Sequence, residues 1–330
     1  MKCACINDLP EPPPGKTGWP WTVESNPATK STVGGHEWPE ISVVTPTYNQ
    51  GDYIEETIRS VLLQNYPNLQ YVIIDGGSTD GTVDIIRKYE PWLDHWVSEK
   101  DRGQTHAINK GFSRATGDIL AWINSDDIYM PNALQTVAGA FAEYPADFIY
   151  GRAMWEYPDG CRKIEALRYP DPALHYLKNW VSQPAAFWTR NLWEKAGPLD
   201  ESFFICMDLD FWIKIAHAGF RMEGIDKVLA SFRVREDAKT FTPDERWVRE
   251  KYKVFRRYAP TLSTGIAPVY KVTFHIFKNL LFLGNGPVAH KLRRYLTLSS
   301  IVPFIPIYGK ERLRFIYGEF YINHPRFDKP

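Results

Sequence analysis

The chain has 330 residues, 44% hydrophobic and 24% charged, with 39 Lys+Arg against 39 Asp+Glu. Those values describe an ordinary globular protein with material for a sizeable core, and they exclude collagenous, low-complexity and small disulfide-stapled chains. The balance hides an asymmetry, because residues 241–330 carry 16 Lys+Arg and 6 Asp+Glu, leaving the tail near +10 and residues 1–240 near −10.

Residues 1–40 contain Pro10, Pro12, Pro13, Pro14, Pro20, Pro27 and Pro39, which deny the backbone regular hydrogen bonding and predict an extended arm. Trp19 and Trp21 are expected to pin that arm to the folded part by burying their rings. The first strand is predicted at 41–45, stopped by Pro46, with Thr47, Tyr48 and Asn49 in the loop beyond it. A helix over 53–64 follows, its apolar face made by Ile54, Ile58, Val61 and Leu62. The strand 71–75 runs into Gly76-Gly77-Ser78-Thr79-Asp80-Gly81 and a helix over 82–89. Glycines there let a ligand approach the backbone, although the GxGxxG spacing of a dinucleotide site is absent.

Residues 92–97 predict a third strand, followed by Arg102, Gly103 and a helix over 104–115. The apolar run 119–123 then ends in Asn124-Ser125-Asp126-Asp127. A run apolar throughout reads as a strand buried on both faces, and its polar tip emerges where open α/β sheets bind ligands. Neighbouring carboxylates at such a tip persist when a divalent cation or a ring of donors compensates them, or the tip simply caps the helix near Pro131. Four strand-helix repeats with short connections predict a mostly parallel sheet in three layers. One edge would then gather Thr47, Tyr48, Asn49, Asp75, Asp80, Arg102, Asn124, Asp126 and Asp127.

Beyond a helix at 131–143, the pattern predicts a strand at 148–151, an antiparallel excursion through 155–164, a strand at 182–188 and a short helix at 190–196. Met207-Asp208-Leu209-Asp210 opens a helix with two acids, where capping is the plain alternative to a site role. Acids two residues apart point different ways, so at most one of them faces a site. A last strand at 228–233 leads to Arg235. The basic remainder, 241–330, predicts a small helical appendage with segments at 244–258 and 268–283. Its charge suits the acidic front part or an anionic partner, and its apolar positions suit packing more than membrane contact. Four cysteines fit neither a zinc spacing nor a disulfide framework. The first residues lack the apolar core of a signal peptide, and no apolar run approaches the roughly 18 residues of a membrane span. A cytoplasmic setting is therefore expected.

Six segments carry a resemblance: TPTYN at 45–49, DGGSTDGT at 75–82, RGQTHAINKG at 102–111, NSDD at 124–127, GPLDE at 197–201 and MDLDFW at 207–212. In this order and spacing the chain resembles a family 2 inverting glycosyltransferase of the GT-A fold, the match covering 41–240 between the N-terminal arm and the 241–330 appendage. The resemblance implies a nucleotide-sugar donor, carrying UDP, dTDP or GDP, with base and ribose near Thr47, Tyr48, Asn49 and Asp75. Arg102, Asn124, Asp127 and Arg235 complete the implied donor site. Asp126 stands where the family's DxD motif holds Mg²⁺ or Mn²⁺ on the diphosphate. Asp208 stands where the family has its catalytic base, and Asp210 orients the helix or binds acceptor. The implied acceptor is a glycan or lipid-linked glycan of a bacterial surface, reached from the inner face of the membrane with 241–330 as a peripheral contact.

Two positions depart from the family pattern. Asn124 replaces the first Asp of the motif, and Arg235 lies where relatives carry a His that holds metal or diphosphate. A guanidinium pairs with phosphate but cannot ligate a cation, so weak metal dependence is expected. A nucleotidyltransferase would need a basic glycine-rich loop after the first strand, which TPTYNQGDY lacks. A catalytically silent carbohydrate-binding scaffold of the same fold is the alternative from another class, and Asp126, Asp127 and Asp208 speak against it. No basic-aromatic repeat points to nucleic acid.

Overall fold

The computed structural model describes residues 4–29, 35, 37–167, 181–235, 239 and 245–258. The described parts of Met1–Tyr169, Val181–Ser202 and Lys214–Arg233 form one compact unit, and those of Pro170–Trp180, Phe203–Ile213 and Val234–Pro330 form another.

In the first unit, β1 (Ile41–Thr47) pairs in parallel with β2 (Leu69–Asp75) and with β4 (Ile119–Trp122), and β2 pairs with β3 (His95–Ser98). β1, β2 and β4 are buried almost throughout and largely apolar because both faces of the sheet are covered. One face of the parallel strands packs on α1 (Ile54–Leu62), α2 (Thr82–Tyr89) and α4 (Ala133–Glu143), through Ile58, Ile86, Leu134 and Val137. The other lies under α3 (Gln104–Phe112), where a Cβ on Gly111 would meet Val44 Cγ1 at 2.3 Å. The three layers follow from this arrangement.

Beyond β4 the pairing becomes mixed. β5 (Ile128–Tyr129), β6 (Phe148–Glu156), β7 (Arg162–Ile164), β8 (Ala186–Thr189) and β9 (Met222–Arg233) extend the sheet in the order β3-β2-β1-β4-β8-β6-β9-β5, with β7 on β6. β8 runs antiparallel to β4 and β6, while β6 and β9 are parallel across a register shift near Arg152. The excursion 155–164 is the antiparallel β6–β7 pair, and the helix at 190–196 is α5 (Arg190–Ala196).

Three local expectations are corrected. β1 does not stop at Pro46, because its pairing with β2 continues to Thr47↔Asp75. Val44 accepts from Ile123 on the β4 side and Thr47 accepts from Gly76 on the β2 side, so Pro46 faces β4 where that pairing has ended at Val44↔Trp122. Its missing N–H removes no ladder bond. Residues 183–185, expected in a strand, make a 3₁₀ turn before β8, and 90–92 make another before β3.

The arm is ordered against the sheet unit. Trp21 is buried, and Trp19 Nε1 donates to the Tyr129 carbonyl at 2.8 Å. The buried Arg59 guanidinium donates to the carbonyls of Pro10, Pro20 and Trp21 at 2.7–3.1 Å and to the Tyr89 hydroxyl at 3.1 Å. It also lies 5.5 Å from the Trp21 ring.

In the second unit the described elements are the first turns of α6 (Met207–His217) and α7 (Glu245–Tyr258), the helix expected at 244–258. The helix expected at 268–283 lies outside the described residues. Among those described, no helix is long and apolar enough to cross a membrane.

Candidate active site

Parallel pairing sends the loops after β1, β2, β3 and β4 to one edge of the sheet, and side chains there knit the loops together. Asn49, at φ 51, donates its amide to Ser78 Oγ at 2.7 Å and accepts the Thr79 amide on Oδ1 at 2.9 Å. Asp80 accepts the Gly51 amide at 2.9 Å and the Thr82 hydroxyl at 2.6 Å. Burial by itself would raise the Asp80 carboxyl, but these bonds outweigh it and hold it below the usual range. Asp75 is fully buried and accepts from the amides of Gly77 and Ser78 and from the hydroxyls of Ser78 and Ser98. Its carboxylate therefore shapes the loop from within.

Gly76 lets three loops meet. A Cβ there would lie 2.8 Å from Asp101 Oδ2 and 3.3 Å from Tyr48 Cδ2. The Tyr48 ring stands in solvent, 61% exposed, beside this junction, while Thr47 Oγ1 is buried with no hydrogen-bond partner among the described residues.

At the tip of β4 the polar residues take different roles. Asn124 Oδ1 accepts from Gln104 Nε2 at 2.7 Å, and Asn124 Nδ2 donates to Gln183 Oε1 at 2.9 Å. Gln183 Nε2 in turn donates to the Trp122 carbonyl at 2.8 Å. Asp127 is 1% exposed and accepts the Arg233 amide at 3.2 Å, while its backbone carbonyl accepts from Thr57 Oγ1 at 2.7 Å. Burial, with the Asp126 charge beside it, pushes the Asp127 carboxyl well up. Asp127, expected in the donor site, is thus the buried tie from the tip to β9 and α1. Asp126 is half-buried in the turn between them.

Arg102, also expected in the donor site, donates from Nη2 and Nε to the single oxygen Glu201 Oε2 at 2.8 and 3.0 Å. Asn109 and Leu199 exchange two hydrogen bonds of 2.9 and 3.0 Å. The segments RGQTHAINKG and GPLDE are therefore one structural joint. Sequence reasoning missed Gln104, Gln183, Asp101 and Ser98; glutamine and serine carry no chemical signature until a partner is known.

The remaining three expected residues belong to the second unit. Asp208, in the first turn of α6, is half-buried and accepts its neighbour Leu209's amide on Oδ1 at 2.7 Å. Asp210 is buried and pairs with Arg257 at 2.8 Å. Arg235 is half-buried just beyond β9. Trp122, Trp188 and Trp212 are core, Trp155 packs on Phe232 at 5.4 Å, and Trp180 lies outside the described residues.

The donor set at the β4 tip is all oxygen and nitrogen, without sulfur, which suits a hard cation. No group of three or more His, Cys, Asp or Glu surrounds it among the described residues. Asp126, half-buried at this tip, is a carboxylate of the kind that Mg²⁺ and Mn²⁺ bind. Such ions take one or two carboxylates and complete their shell with water and substrate phosphates.

A profile of the family described as Glycosyl transferase family 2 matches residues 42–195. A putative teichuronic acid biosynthesis glycosyltransferase of Bacillus subtilis is 31% identical over 204 residues, which cover 59% of this chain and 79% of that protein. A PGL/p-HBAD biosynthesis glycosyltransferase of Mycobacterium bovis is 28% identical over 185 residues, covering 53% and 69%. Among solved structures, S. aureus TarS 1–349 in complex with UDP-GlcNAc superposes with a TM-score of 0.54 at 19% identity, covering 84% of this chain and 83% of that one. The structural likeness fixes the fold and the sequence likeness fixes the kinship: this chain belongs to glycosyltransferase family 2 and is a glycosyltransferase.

Proposed function

We propose that the protein moves a sugar from a nucleoside diphosphate donor to an acceptor hydroxyl with inversion at the anomeric carbon, in the synthesis of a bacterial glycan. The observation that carries this reading is the junction at Gly76, where the loops after β1, β2 and β3 close on one another beside the exposed Tyr48 ring. An aromatic face of that kind stacks on a base. The unpartnered Thr47 hydroxyl supports the same reading, because buried polar atoms are almost always bonded and a ribose or phosphate oxygen would supply the partner.

Asp126 would hold the divalent ion, which supplies charge neutralisation at the diphosphate when bound. Asp208 is assigned the general base. It takes the acceptor's hydroxyl proton while that oxygen bonds to the anomeric carbon, and the breaking bond leaves its electron pair on the diphosphate. Asn124, held by Gln104 and Gln183, favours weak dependence on metal, and Arg235 is assigned to the diphosphate. Contact of 241–330 with an anionic membrane surface and a lipid-linked acceptor belong to the same proposal.

Calorimetric titration with UDP, GDP and dTDP, each with and without Mn²⁺, tests the reading. Micromolar binding of one nucleotide supports it, and a fold intact by circular dichroism with no binding of any contradicts it.

A further inference from the structure

We infer that Glu250 on α7 is a positioning residue for Asp208, and that α7 is thereby part of the catalytic apparatus. The inference rests on the assignment of Asp208 as general base. It comes from the way α6 begins. The first hydrogen bond of that helix runs from the Asp210 amide to the Cys206 carbonyl at 2.9 Å, which makes Cys206 its N-cap. The segment entering the helix, Phe204-Ile205-Cys206, supplies three consecutive amides with no helical acceptor.

All three are taken by one side chain. Glu250 Oε1 accepts the Phe204 amide at 2.8 Å, and Oε2 accepts the Ile205 and Cys206 amides at 2.8 and 2.9 Å. Glu250 is buried, so this carboxylate is held by donors rather than by water. A negative charge at a helix N-terminus also complements the helix dipole. Seven residues on, along the same face of α7, Arg257 Nη1 donates to Asp210 Oδ1 at 2.8 Å. The Tyr258 hydroxyl, its pKa pushed up to about 12 chiefly by burial, also bonds Asp210.

The two contacts bracket Asp208. Cys206 lies two residues before it and Asp210 two residues after it, and both are fixed by α7. Val254 and Lys251 on α7 are buried between the two anchor points in sequence, so the face is a packed one. Asp208 itself spends one oxygen on the Leu209 amide, so its carboxylate orientation follows the backbone of this turn. A general base acts only within hydrogen-bond reach of its proton, and an error near 1 Å costs about a hundredfold in rate. Three bonds onto the segment that carries the base are a means of keeping it within that tolerance.

Glu250→Gln keeps the shape but replaces one accepting oxygen by an NH₂ group, setting donor against donor. The test uses the full chain and two readouts. The first is amide hydrogen exchange, which needs no substrate. Exchange at Phe204, Ile205, Cys206 and Leu209 should accelerate at least tenfold in Glu250→Gln, while Val43 and Val72 in the sheet keep wild-type protection and report an intact fold. The second is donor consumption, with water as acceptor, using whichever of UDP-GlcNAc, UDP-glucose or GDP-mannose the wild type turns over. There kcat should fall at least tenfold with KM within about twofold, and Glu250→Asp, which keeps both oxygens, should recover part of the loss. Unchanged exchange at Leu209, or wild-type kcat in Glu250→Gln beside an inactive Asp208→Asn, overturns the inference alone. Wild-type kcat in Asp208→Asn overturns the base assignment on which it rests.

Discussion

Gln104 Nε2 donates to Asn124 Oδ1 at 2.7 Å, joining the first residue of α3 to the tip of β4. That bond occupies the oxygen through which Asn124 would otherwise meet a cation. With Gln183 on its other end, the amide is fixed in orientation by two glutamines, and the tip is neutral at 124 while it is acidic at 126. Asn124→Asp should therefore raise Mn²⁺ affinity, by about threefold or more, with nucleotide present. Electron paramagnetic titration of free Mn²⁺ against both proteins measures it. No change would mean that position 124 lies outside the ion's reach.

Asp127 is expected to be structural. Asp127→Asn keeps an acceptor for the Arg233 amide in a side chain of the same shape, so its unfolding free energy should stay within about 1 kcal/mol of wild type. Asp127→Ala leaves that amide orphaned and should cost about 1–3 kcal/mol. Urea titrations of the two variants discriminate this role from a ligand role. In the latter, Asp127→Asn would abolish nucleotide binding at unchanged stability.

Gly76→Ala should separate the loops that meet there. The added methyl collides with the Asp101 carboxylate and crowds Tyr48, and both neighbours can shift because they lie on loop ends. Nucleotide affinity is expected to fall about tenfold, near 1.4 kcal/mol, with stability nearly unchanged. Calorimetry on the variant, paired with a thermal melt, reads both quantities.

The lowered carboxyl of Asp80 predicts a pH dependence of known sign. Its folded value lies below the ordinary aspartate value of about 3.9, so its contribution is complete above that pH and is lost as pH falls through the folded value. Asp80→Asn should flatten the acid limb of a stability curve below about pH 4 and leave Gln50, Gly51 and Thr82 more mobile. A carbon-detected titration of the Asp80 carboxyl checks the direction independently.

Arg59 predicts the behaviour of the arm. Replacing it with Met orphans three backbone carbonyls and should destabilise the protein, at about 1–3 kcal/mol for each buried acceptor left without a donor. Limited proteolysis should then cut within residues 10–22 before the sheet unfolds.

The parallel block of the sheet was legible because β1, β2 and β4 are largely apolar segments ending at polar loops, and that pattern follows from burial. The antiparallel part was less so. Gln183–Ala185 has strand-like neighbours, yet Pro184 and the need to aim Gln183 at Asn124 turn it into a 3₁₀ segment. At the site, acids and glycines announced the edge, but their division of labour could not be read from type. Asp75 and Asp127 face inward because amides happen to await them there, and Arg102 faces Glu201, a partner 99 residues away. Arg59 gave no signal, since a cation on a helix reads as surface until the arm folds over it.

The most direct test of the transferase account is the turnover of Asp208→Asn, measured together with its nucleotide binding. The account predicts that nucleotide affinity stays within about twofold of wild type while turnover falls about 10²–10⁴-fold, the share of a general base. Turnover within a few-fold of wild type, at equal affinity, would contradict it and remove Asp208 from the chemistry.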